Sequence, residues 1–101
     1  MKEAVIRKKA IEILLCKKWV YWYAPKVKFQ QTDIFGVFDM VCWKRTEKKL
    51  KFIQLTTYSN LSARRKKIQS FFQTNKIKPK AADVEIWAWN NNKKEFKVEI
   101  I

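Results

Sequence analysis

With 101 residues, 48% of them hydrophobic and 15% aromatic, the chain can bury one core and is too apolar to remain disordered, so residues 1–101 are read as a single domain. It carries 23 basic against 9 acidic residues, a net charge of +14, and no histidine. The missing histidine excludes imidazole acid–base chemistry and Ser-His or Cys-His nucleophiles. Cys16 and Cys42 form no CxxC pair, so zinc held by its usual ligand sets is excluded as well.

No apolar run reaches the roughly 20 residues that span a bilayer. The amino terminus is charged by its third residue and carries no small-residue cleavage site, so a cytoplasmic protein without membrane attachment is expected. A charge of this size opposes self-association and attracts polyanions, nucleic acid above all. A lysine-rich solvated surface would produce the same composition.

The first predicted element is a helix over 3–18. Ile6, Ala10, Ile13 and Leu14 fall on one face, with lysines and Arg7 opposite. A β-rich run follows over 19–24 and ends at Pro25. Residues 26–32 have no period and form a loop. Strands are expected over 37–43 and 50–57, joined by the polar 44–49 turn. Ser59 or Asn60 is placed as the N-cap of a second helix running to about Gln73, with Leu61, Ile68, Phe71 and Phe72 as its stripe. Residues 83–89 form a fourth strand, 90–92 a turn, and 95–100 an edge strand with Phe96, Val98 and Ile100 on one face. The fold class is α/β, a single mixed sheet flanked by helices in the order α-β-β-β-α-β-β.

Asp39 is the one charge in the apolar run 34–43. An unpaired carboxylate in such surroundings costs several kcal/mol or neutralises, so a binding role accounts for it better than chance. Strand alternation puts Val37, Asp39 and Val41 on one face, and Phe52, Gln54 and Thr56 on one face of the next strand. If these strands are hairpin neighbours, Asp39 meets Gln54. A carboxylate and an amide oxygen, with backbone carbonyls and waters, can hold a hard cation such as Mg2+ or Mn2+. Each residue also has an ordinary structural role open to it. Asp39 can cap a turn or pair with a buried cation, and Gln54 can satisfy backbone groups. Thr56 can be a plain β-branched strand residue, and the run 64–67 a solvated helix face. Trp87 and Trp89 share a face and can pack against a helix or stack on bases.

The order α-β-β-β-α-β, with the segment 33–41 followed by Gln54-Leu55-Thr56, resembles the PD-(D/E)XK nuclease superfamily, which includes restriction endonucleases and archaeal Holliday-junction resolvases. The likeness is greatest to small phage-type members in which the triplet reads Gln-x-Thr and Ser-Asn plus a basic helix follows, here Ser59, Asn60 and 61–68. The resemblance implies a restriction-endonuclease-like fold and Mg2+- or Mn2+-dependent endonuclease activity on DNA, resolvase-like in its selectivity for structure. Cutting both strands would need a homodimer. A non-catalytic nucleic-acid-binding module on a degenerate nuclease fold is the alternative.

Carried onto this chain, the resemblance makes Asp39 the metal-binding acid and sets Gln54 at the second acidic position. Thr56 stands where a catalytic lysine is expected, and its hydroxyl supplies no positive charge. Arg64 or Lys67, which share a helical face with Asn60, are the candidate replacements. Glu3 on the first helix is the additional metal ligand, ahead of Glu12 and Asp33. Lys26, Lys28, Asn60, Arg64, Arg65 and Lys67 are the expected nucleic-acid contacts.

Overall fold

The computed structural model describes residues 3–23 and 33–101, with Glu3 and Pro79 as backbone only. The chain runs α1 (Glu3–Cys16), β1 (Val20–Tyr23), β2 (Met40–Trp43), β3 (Lys51–Thr57), α2 (Leu61–Asn75), β4 (Asp83–Asn90) and β5 (Glu95–Ile100). The strands form one mixed sheet in the order β1-β2-β3-β4-β5. β3 and β4 are parallel neighbours and every other pair is antiparallel. Parallel strands cannot be joined by a tight turn, and α2 is the crossover between them.

Each helix covers a different sheet face. Ile6, Ala10 and Leu14 of α1 pack on Met40, Cys42, Ile53, Leu55, Trp87 and Trp89. Leu61 and Ile68 of α2 pack on Val84, Ile86 and Ala88, together with Val37 and Phe38 from the segment before β2. Fully burying one such aliphatic side chain contributes about 1.5–3 kcal/mol. Both helices stop on a left-handed lysine, Lys18 (φ 65°) and Lys76 (φ 54°). After each, the next residue donates back to the last turn, Trp19 to Leu14 at 2.9 Å and Ile77 to Phe72 at 3.1 Å.

The start of β2 shifts from where it is expected. Residues 37 and 38 are not strand: Phe35 (φ 56°) and Gly36 (φ 72°) make a tight turn, with an isolated bridge between Ile34 and Phe38. Val37 and Phe38 are apolar because they are buried under α2, a demand that hydrophobicity alone cannot distinguish from pairing in a sheet. β2 therefore begins at Met40, and Asp39 lies at its mouth, not in its middle. α2 follows a 3-10 turn, Tyr58–Asn60, and Asn60 is its N-cap as expected, without a side-chain cap bond, while the Leu61 N–H donates to the Tyr58 carbonyl.

On β5 the apolar side packs only at Phe96, against Trp87 and Trp89. Val98 and Ile100 face outward while Glu99 turns toward α2. Among the described residues no helix is long and apolar enough to cross a membrane.

Candidate metal centre

The Met40–Ile53 pairing, carried one residue outward, sets Asp39 opposite Gln54, and the Asp39 N–H donates to the Ile53 carbonyl at 2.9 Å. The Asp39 carboxylate turns inward across the end of β3. Its Oδ2 accepts the Leu55 backbone N–H at 2.7 Å and Gln54 Nε2 at 2.8 Å. The same Nε2 donates to the Leu55 carbonyl at 3.1 Å. Gln54 is 4% exposed and Thr56 7%; they are the two buried polar side chains among the described residues.

One atom of this cluster is left over. Gln54 Oε1 is buried and has no hydrogen-bond partner. Leaving a buried acceptor unmade costs about 1–3 kcal/mol. The amide nitrogen, by contrast, sits between a carboxylate oxygen and a carbonyl oxygen, as a small cation would. A half turn of the carboxamide exchanges its nitrogen and oxygen. Oε1 would then meet Asp39 Oδ2 and the Leu55 carbonyl, and three oxygens would converge. That arrangement is repulsive on its own and favourable around a hard cation, which takes oxygen ligands and keeps several waters. With the carboxamide turned in this way, the cluster could hold one Mg2+ or Mn2+ supported by a single carboxylate. Among the described residues no group of three or more His, Cys, Asp or Glu side chains occurs.

α2 supplies the adjacent positive charge, and its two flanks differ. Arg65 faces β5 and holds Glu99 in a two-pronged ion pair, Nε to Oε2 at 2.5 Å and Nη2 to Oε1 at 2.6 Å. That hydrogen bond first, against a smaller opposing effect of desolvation, holds the Glu99 carboxyl below the usual carboxylate range. The opposite flank carries Phe71, whose ring packs edge-on to Phe38 at 5.9 Å, on the side toward Asp39. Arg64 lies seven residues from Phe71 and so on the same flank, about 10 Å nearer the helix start at 1.5 Å per residue. α2 returns antiparallel to β3, which brings Arg64 level with the Gln54–Thr56 end of the strand. Arg64 is half-buried there, while Lys67 and Asn60 on this flank are exposed.

Asp39, Gln54 and the Leu55 backbone thus come together on β3, with Arg64 on the neighbouring helix flank, while Thr56 is buried two positions beyond Gln54. Arg65 has an intramolecular partner. Glu12 is exposed on α1, on the other side of the sheet. Glu3 opens α1 on that same side, and its side chain lies outside the described residues, as do Lys26 and Lys28. Asp33 is half-buried at the start of the turn that leads to Asp39. Trp87 and Trp89 are buried in the α1 core, which is the packing role open to them.

The sequence reading missed the Leu55 main chain, which offers both a donor and an acceptor to the cluster. A strand residue next to an inward-facing Gln is the only signal for it, and that signal is weak. Comparison with known proteins adds no assignment: no family model, curated protein or solved structure matches the chain.

Proposed function

We propose that this chain is a Mg2+- or Mn2+-dependent endonuclease of DNA phosphodiesters, built on a restriction-endonuclease-like scaffold. The observation that carries the reading is the Gln54 amide, wedged between Asp39 Oδ2 and the Leu55 carbonyl while its own oxygen is buried without a partner. When bound, a divalent cation at this point supplies Lewis acidity toward a phosphate oxygen and a water of lowered pKa.

The chain's own residues do the rest. Asp39 provides the one negative ligand, and the Leu55 N–H fixes its rotamer. To hold the cation Gln54 would have to turn its oxygen to where Nε2 now donates to Asp39 and Leu55, and the Leu55 carbonyl would complete the protein's share. Arg64, on the helix flank toward the site, holds the phosphate by charge-assisted hydrogen bonds and takes the task for which Thr56 has no charge. The +14 surface holds the strand nonspecifically. Cutting both strands of a duplex would require two copies, hence a homodimer acting at structured DNA.

A second reading is a nucleic-acid-binding module that has lost catalysis, favoured by the single carboxylate of the described cluster and the neutral Gln54-x-Thr56 pair. Incubating supercoiled, branched and single-stranded DNA with Mg2+ or Mn2+ separates the two. Cleavage that disappears in Asp39→Ala supports the enzyme, and binding without cleavage of any substrate supports the module.

A further inference from the structure

Among the described residues α2 packs on β3 and β4, and on the same sheet face the β1–β2 half beside Asp39 carries two large exposed indoles. Trp22 is 54% exposed and Trp43 52%. The register explains how they relate to the site. Trp22 pairs with Val41 and Val20 with Trp43, so all four side chains share one face. Asp39 and Trp43 flank Val41 along β2 on that face. Trp22 is therefore diagonal to both, about 7–8 Å away across the strands. The Trp43 ring is held in place, its Nε1 donating to the Glu47 carbonyl at 2.8 Å. The turn just beyond it presents exposed Arg45 and Lys48.

We infer that Trp22 and Trp43 form a stacking platform for unpaired nucleobases, so that a single-stranded stretch, such as structured DNA presents beside its paired arms, is engaged in preference to intact duplex. This deepens the nucleic-acid reading above and rests on it, but it does not require cleavage. Three features select this occupant. Flat aromatic faces accept any base, because every base has a π-face. In a duplex those base faces are already stacked, so a paired substrate cannot use the platform. A second copy of the chain would bring the same +14 against this surface, whereas a polyanion is attracted to it. The strand would lie with its bases on Trp22 and Trp43 and its backbone running past Arg45 and Lys48 toward Asp39.

The test uses fluorescein-labelled oligothymidine of about twelve nucleotides, within the span one small domain covers. Anisotropy is read in EDTA, beside a duplex of equal length, for the wild type, Trp22→Ala, Trp43→Ala and Trp22→Phe. The expected result is tighter binding of the single strand than of the duplex. Each alanine variant should weaken the single strand roughly tenfold, leave the duplex unchanged, and keep its melting profile, while Trp22→Phe retains most of the affinity. Single-strand affinity that survives both alanine variants overturns the inference. So does a wild-type dimer that becomes monomeric in either variant without losing single-strand affinity, which would give the face to a second copy. Tryptophan-dependent binding with no cleavage under any metal retires the nuclease and keeps the platform. Asp39-dependent cleavage indifferent to both tryptophans does the reverse.

Discussion

The two faces of the sheet are built for different ends. Under α1 the interior is hydrocarbon and indole, and its one titratable buried group, the Cys42 thiol, is pushed up to about 11 by burial, with Lys51 opposing and Glu85 adding to the rise. Under α2 lie the two buried polar side chains and the unsatisfied amide oxygen. The inward-turned carboxylate lies at the same strand end, and beside it the face opens onto exposed tryptophans. Both faces carry an apolar core, and the two buried polar side chains among the described residues lie on the α2 side. A polar cluster is tolerated where its neighbours are already held by a separate core.

The largest expected effect breaks the α1 side. Leu14→Ala empties a fully buried position and should lower unfolding free energy by about 2–5 kcal/mol in a denaturant titration. Single-strand binding should be unaltered wherever the variant remains folded. Asp39→Ala attacks the other face. It leaves the Leu55 N–H without its acceptor and should cost about 1–3 kcal/mol of stability, together with all cleavage.

Gln54→Glu sharpens the comparison further. Without metal it places a carboxylate against Asp39 and should lower the melting temperature. With Mg2+ the second negative ligand should raise cation affinity roughly tenfold, equivalent to about 1.4 kcal/mol, so that thermal stabilisation by Mg2+ exceeds that of the wild type. Thiol labelling contrasts the faces chemically. At neutral pH exposed Cys16 should react with iodoacetamide, while Cys42, held as the thiol, should react only on unfolding.

The smallest effect lies at the α2–β5 rim. Glu99 has its folded pKa lowered by Arg65, so its contribution is present above the unfolded glutamate value of about 4.3 and is lost as pH falls below it. The stability difference between the wild type and Glu99→Gln should be constant at neutral pH and shrink in acid.

The element order and the Asp39–Gln54 encounter were legible in the chain because period-2 and period-3.6 patterns specify which face each residue takes. The start of β2 was not. Val37 and Phe38 satisfy a helix from within a turn, and burial leaves the same composition whether or not the backbone pairs. The N-cap of α2 at Asn60 was legible, but the absence of a side-chain cap bond there was not. The Leu55 main chain was invisible because every residue carries the same carbonyl. Trp22 and Trp43 could have been found only from a register between strands separated by a long connection, which composition does not encode.

The most direct test follows the Gln54 side-chain amide and the Leu55 backbone N–H by 15N-resolved NMR while Mg2+, then trace Mn2+, is added. Both signals should shift with Mg2+ and be broadened first by Mn2+, and Asp39→Ala should abolish both responses. If neither signal moves, or the first to broaden lie on the α1 face, the oxygen cluster at the end of β3 is not a cation site.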